Sequence, residues 1–347
     1  MKSRVVSRSG RPHASSRKRT KALRLVAIAA LLPVLAACGG SSGSSEPGAT
    51  PEITVVNGIT SFEFLAADMA EQLGTWDKVG LKVDYIKGSG GGGQVTSTLT
   101  AGQADLGLHG GGAAALSITK GQPGKIIAVT ANSFSGMVCV VNKDSDIHSF
   151  ADLKGKTMGI SSAGSLTDLV SQLIAKKHGW KLGSEFKQAK IGDLSQLTAA
   201  LEKGVVDIIC WSAEPAETLA EKGKGRILGH AGEVVGPNIY EAIIATNDAI
   251  KNKPEAIKKY LQGYFSVVKY MKNHPDETTK ALMEQQSLSK SVAKKVYDGE
   301  MGNQSLDGTA TAEQLKGVAT DVAILSGASE PAADVFWDSQ FVPVSTS

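Results

Sequence analysis

The chain has 347 residues, with 37 Lys/Arg against 34 Asp/Glu, and only 5% of its residues are aromatic. That length can hold two domains with real cores, and so few aromatics argue against a large apolar ligand cage. Nine of the basic residues lie within residues 2–24; without them 28 bases face 34 acids, a formal charge of about −6, so charge gives no reason to expect a nucleic-acid partner.

Residues 2–24 hold no acid, and residues 25–37 are thirteen uncharged residues ending in Leu35-Ala36-Ala37-Cys38. A basic region, a short apolar run and a small-residue cleavage site before a cysteine read as a lipoprotein signal peptide over 1–37, with Cys38 the lipidated residue. About twenty apolar residues would be needed to span a bilayer, so the run is too short for a transmembrane helix. Residues 38–51 form a flexible Gly/Ser tether. The mature protein is therefore expected outside the cytoplasmic membrane, tethered to its outer face by the lipid.

Beyond the tether, short apolar runs alternate with longer amphipathic ones. Strands are predicted at 53–56, 81–86, 104–108 and 125–130, with helices at 62–73 and 95–101. A second region repeats this, with strands at 157–160, 186–191 and 206–211 and helices at 166–178 and 194–203. From 254 onward the pattern is helical, at 254–273, 289–299 and 312–325, with Pro254 at an early helical position and Pro275 a stop. The alternation predicts α/β architecture, each lobe a mostly parallel sheet covered by helices. An internal echo supports two lobes. Leu99-x-x-Gly102-x-x-Asp105 and Leu201-x-x-Gly204-x-x-Asp207 each end a helix at a glycine and open a strand with an aspartate. Strand-like runs at 136–142 and 238–247 are suited to carry the chain between lobes. The expected organisation is lobe 1 from 52–137 plus 243–347, lobe 2 from 138–242, and two crossovers acting as a hinge.

Cys139 and Cys210 lie in apolar strand-like runs, outside any CxxC pattern and away from histidine clusters, so no zinc site is expected. An oxidising compartment permits a disulfide between them; their apolar context favours two buried thiols.

Five segments then carry a family resemblance: LGTWDKVGLKV (73–83), LTAGQADLG (99–107), DLKGKTMGI (152–160), residues 201–207, and Trp211-Ser-Ala-Glu-Pro215. In this order and spacing, behind a lipobox, the chain resembles solute-binding proteins of ABC importers. It is most similar to the nitrate/sulfonate/taurine group, whose relatives include thiamine-precursor binding proteins. The resemblance implies a type II periplasmic-binding-protein fold that closes like a jaw on a small solute. Its implied partners are that solute and a membrane permease; a monomer without cofactor or metal is expected.

Ligands in such folds sit outside the carboxyl ends of the strands, at helix N-termini. Several segments should meet there. Ser161, Ser162, Gly164, Ser165 and Thr167 lie between a strand and a helix, where N–H groups and hydroxyls suit an anionic or carbonyl oxygen; plain capping is the alternative for Ser165. Residues 88–93 match GxGxxG, but no acid follows at ribose-binding distance and no Lys-Ser/Thr follows for a P-loop. A flexible cleft-lining turn is expected instead, placing Gly90 and Gln94 near the ligand. Thr60, Ser61, Phe62 and Glu63 open the first helix. His109 and Gly110 end a strand; Trp211, Ser212 and Glu214 hold the equivalent place in the second lobe, Trp211 suited to stack on a flat ring. Asn238 and Tyr240 complete the candidates. Arg226, the single arginine beyond the leader, lies in a Lys/Gly stretch that reads as a solvated loop. Without a guanidinium fork, α-amino acids and dicarboxylates are disfavoured. A sulfonate or nitrate-like anion, or a pyrimidine-type heterocycle bonded to Glu63 or Glu214, remains. The competing readings are a ligand-dependent sensor or scaffold, and an enzyme like those of pyrimidine synthesis. Against a hydrolase, the one GxSxG match (39–43) lies in the tether, where it cannot form a nucleophile elbow.

Overall fold

The computed structural model describes residues 49–346. The predicted signal peptide, the predicted lipidation site Cys38 and the predicted tether as far as residue 48 lie outside them. Ten strands form two five-stranded mixed sheets. The first contains β1 (Glu52–Asn57), β2 (Lys82–Lys87), β3 (Leu106–Gly110), β4 (Lys125–Ala131) and the late strand β10 (Glu241–Ala245), in the order β2-β1-β3-β10-β4. The second contains β5 (Met137–Asn142), β6 (Thr157–Ile160), β7 (Lys187–Lys190), β8 (Ile208–Ser212) and β9 (Gly225–His230), in the order β7-β6-β8-β5-β9. The two orders correspond strand for strand. In each sheet a central strand pairs in parallel with two neighbours, β1 with β2 and β3, and β6 with β7 and β8. In each, the chain crossing from the other sheet supplies one antiparallel strand, β10 or β5.

The sequence echo is a shared device. Asp105 Oδ2 accepts the N–H of Thr54 at 2.8 Å, and Asp207 Oδ2 accepts that of Thr157 at 2.7 Å. Each aspartate satisfies a donor of the neighbouring strand and so sets its register. Gly102 and Gly204 both take φ 68°, the left-handed conformation that ends the preceding helix without a Cβ penalty. Edge strands β2 and β7 each present two lysines, Lys82 and Lys87 or Lys187 and Lys190, charges that discourage pairing with another chain.

Helices Leu65–Gln72, Gly91–Thr100, Leu166–Lys177, Leu194–Glu202, Pro254–Asn273, Lys290–Glu300 and Ala312–Ser326 stand where amphipathic spacing predicts them. Helix Gly111–Thr119 was not predicted because it lacks an amphipathic stripe, with Gly111 through Leu116 all buried. Helix Ala213–Glu221 was not predicted either; Pro215 sits in its first turn, where a missing N–H costs nothing. Pro275 stops one helix and opens the next, Pro275–Gln286. Among the described residues no helix is long and apolar enough to cross a membrane.

Two expectations are corrected. Cys139 and Cys210 are a disulfide rather than buried thiols: they face each other across β5 and β8, with Cα atoms 4.0 Å apart. Arg226 is not in a solvated loop but on β9, its guanidinium donating to the carbonyls of Ser145 (3.2 Å) and Ile147. Strand pairing with β5 draws it against these carbonyls.

Candidate functional site

A cavity of about 750 Å³ lies at the carboxyl ends of the strands of both sheets. Its wall includes Gly58 and Ile59 after β1, His109 and Gly110 ending β3, residues 161–167 after β6, and Trp211 and Ser212 ending β8. Tyr240 and Glu241, where the chain enters β10, complete one side. Four helices of nine or more residues begin here, capped by Gly90, Gly110, Ser165 and Ser212. Helix N-termini carry unsatisfied N–H groups and partial positive charge, so their convergence favours a solute with anionic or carbonyl oxygens. Lys120 is the one basic side chain on the wall; Arg226 is not part of it.

The turn before helix Leu166–Lys177 is held open by its own side chains. Thr167 Oγ1 accepts the N–H of Ser161 at 2.9 Å, Asp168 Oδ2 accepts that of Gly164 at 2.8 Å, and Ser165 Oγ accepts that of Asp168 at 3.3 Å. Ser165 therefore caps the helix while lining the cavity. Gly110, ending β3, faces this turn; a Cβ there would lie 2.3 Å from Leu166 Cδ1, so a larger residue would have to push the Leu166 side chain aside. His109 is buried, and burial lowers its pKa to about 4. The ring is neutral at pH 7, so Nδ1 donates to the Gly110 carbonyl (3.2 Å) and Nε2 accepts from the Thr96 hydroxyl (3.1 Å).

Of the residues singled out from sequence, His109, Gly110, Ser161, Ser162, Gly164, Ser165, Thr167, Trp211, Ser212 and Tyr240 share this wall. The others do not. Gly90 caps the helix Gly91–Thr100, and Gln94 folds back so that its Oε1 accepts the Gly90 N–H at 2.9 Å. That capping, rather than a flexible turn, is what the glycine run builds. Thr60 is exposed. Phe62 is fully buried, edge-on to Tyr297. Asn238 is buried and donates to Asp321 at 2.9 Å.

Glu63 and Glu214 lie behind the wall in a group of buried carboxyls with Glu241 and Glu300. Glu214 Oε1 accepts the N–H of Phe62 and, at 3.2 Å, the amide of Gln286. Both Glu63 oxygens, and one oxygen each of Glu214, Glu241 and Glu300, have no hydrogen-bond partner among the described residues. Burial raises the pKa of all four; the neighbouring carboxyls Glu214, Glu300 and Glu241 add to it at Glu63. Glu300 is pushed up to about 7. Gly136, in the chain between the two sheets, packs against the group. A Cβ there would lie 2.5 Å from Glu300 Oε2 and 2.8 Å from Glu63 Oε1. Glu241, Glu300 and, on the wall, Thr96, Ser97, Thr100 and the residues from Ala113 to Gln122 escape sequence reasoning. Helix Gly111–Thr119, buried from Gly111 through Leu116, carries no stripe in the sequence that would have marked it.

Among solved structures, the alkanesulfonate-binding protein SsuA from Xanthomonas axonopodis pv. citri, bound to MOPS, superposes with a TM-score of 0.71 at 16% identity, covering 85% of this chain and 99% of that one. The periplasmic nitrate-binding protein NrtA from Synechocystis PCC 6803 gives a TM-score of 0.60 at 15% identity, covering 72% and 70%. These likenesses establish the periplasmic-binding-protein fold. YtlA of Bacillus subtilis (strain 168) is 23% identical over 207 residues, which span 59% of this chain and 62% of that protein. The family described as NMT1/THI5 like matches residues 61–278. With that match covering most of the described fold, the chain belongs to the NMT1/THI5-like family.

Proposed function

We propose that this chain is an extracytoplasmic solute-binding lipoprotein of an ABC importer. It captures a small solute by closing its lobes and delivers it to a membrane permease, with no chemistry of its own. The supporting observation is the convergence of four helix N-termini on one cavity fed by both sheets. This arrangement suits a sulfonate or nitrate-like anion, whose oxygens take the free N–H groups and the hydroxyls of Ser161, Ser165 and Thr167. Burial raises the pKa of Glu241, which favours the protonated carboxyl that can donate to such an oxygen. Sulfonate- and nitrate-binding proteins of the same fold agree with this reading. In the proposed motion, residues 243–347 travel with 52–137, residues 138–242 form the other jaw, and the two crossovers absorb the rotation. Cys38 carries the lipid anchor, and the chain acts as a monomer.

A pyrimidine-type heterocycle is the second reading. Trp211 on the wall would stack on the ring, and the unpartnered Glu241 would bond a ring nitrogen or amino group. Titration calorimetry with alkanesulfonates, nitrate and aminopyrimidines tests both. Stoichiometric binding of the anions alone supports the first reading. Binding of the ring compounds alone replaces it with the second, and turnover of any of them refutes a binding role without chemistry.

A further inference from the structure

The cavity does not end at the helix N-termini. It continues as a groove between helices Gly91–Thr100 and Gly111–Thr119, with Thr96, Ser97 and Thr100 on one side and Leu116, Ser117 and Lys120 on the other. Each set follows helical spacing, so one continuous face of each helix is turned to the groove. At 1.5 Å per residue, the second helix carries it about 13 Å from the anion-suited mouth. Gln122 closes the far end. It is 6% exposed, it lines the same cavity, and neither its carboxamide oxygen nor its nitrogen has a hydrogen-bond partner among the described residues. A buried amide with both functions unmet is costly unless a ligand supplies partners. Near the mouth, Gly93 leaves open space where a Cβ would project.

We propose that this groove is a second subsite for the same solute, receiving an elongated chain whose far end carries a donor–acceptor group, such as a carboxamide, that Gln122 reads. The proposal rests on the solute-binding reading above and deepens it. It makes the solute a two-ended molecule, with an anionic head at the helix N-termini and a hydrogen-bonding tail. The hydroxyls of Thr96, Ser97, Thr100 and Ser117 donate to His109 Nε2 and to the carbonyls of Gln94, Thr96 and Ala114, so the groove's sides leave the discrimination to its two ends, and the groove's continuity with the main cavity lets both ends bind at once.

The test uses the purified protein and three probes: 8-amino-8-oxooctane-1-sulfonate, octane-1-sulfonate and octanamide. The Gln122 side-chain amide signal in NMR spectra is assigned by its loss in Gln122→Leu, and the Gly110 and Ser165 backbone amides report the head. Both carboxamide probes should shift the Gln122 signal. The two-ended probe should bind about tenfold tighter than octane-1-sulfonate, the yield of one satisfied buried amide. Gln122→Leu and Gly93→Leu should each erase that preference, with circular dichroism confirming that both fold. If sulfonates shift Gly110 and Ser165 but no carboxamide shifts Gln122, the second subsite is refuted and the anion reading survives. If the carboxamides shift Gln122 while the head reporters stay still, the groove is supported and the anion reading falls. Silence at every reporter, or a preference persisting in both variants, overturns the proposal.

Discussion

Helix Ala213–Glu221 turns Glu214, Glu217 and Glu221 toward the helices that follow β10, and each is held there. Glu214 accepts the Phe62 N–H and the Gln286 amide, Lys295 pairs with Glu217 at 3.0 Å, and Ser289 donates to Glu221 at 2.7 Å. If the second sheet moves as one jaw, this face is the latch of the closed form. Glu214→Ala would leave the Phe62 N–H buried without an acceptor, a loss of about 1.5–3 kcal/mol for a bond to a charged or strongly polar group. Opening lets water satisfy that donor, so the change favours the open form by about 10–150-fold. Relief of repulsion with Glu63 and Glu300 opposes this. It is the smaller effect, because burial raises the pKa of Glu63 and so already disfavours its charged form. Amide hydrogen exchange measures the balance directly: protection at Phe62 should fall by that factor. Glu217→Ala, which breaks a pair whose lysine is half exposed, should change it less than about fivefold. Phe62 protection within twofold of wild type in Glu214→Ala would refute the latch.

Stability should fall as pH rises from about 5 to 8. Burial pushes the Glu300 carboxyl up to about 7, against 4.5 for a free glutamate, so around neutral pH the native state holds a proton that the unfolded chain has released. Its stabilising contribution is full below the unfolded value and lost as pH climbs through 7, about 3 kcal/mol at most. Asp321, also raised to about 7 by burial, adds to the same slope. Thermal melts across this range check it, and Glu300→Gln with Asp321→Asn should flatten the profile. Replacing Cys139 and Cys210 with serine removes a crosslink spanning 71 residues. Chain entropy values that crosslink at about 4 kcal/mol, to be read from guanidinium unfolding; a loss below about 1 kcal/mol would show that the unfolded chain is not what it constrains. Ser165→Ala should cost about 1 kcal/mol of stability through the lost cap, and should also weaken binding of octane-1-sulfonate. Unfolding curves and calorimetry separate the two effects.

The two matching sheets were legible because their signals are local and repeated. Leu99/Gly102/Asp105 and Leu201/Gly204/Asp207 mark the same turn twice, since a helix end needs a left-handed residue and the next strand needs an acceptor. The Ser161–Thr167 turn was legible for the same reason: capping residues beside a strand end announce a helix N-terminus. The glycine run at 88–93 misled, because Gln94, four residues after Gly90, turns it into a helix start rather than a loose turn. What amino-acid order determined by itself was the alternation of strands and helices, the family resemblance, and the absence of an arginine fork. Tertiary structure alone decided that Cys139 meets Cys210, that Glu63, Glu214, Glu241 and Glu300 share one buried space, and that the cavity runs on to Gln122. Periodicity reports which face of an element is buried. Only packing reports what lies across from it, and these pairs stand up to 237 residues apart in sequence, as Glu63 and Glu300 do.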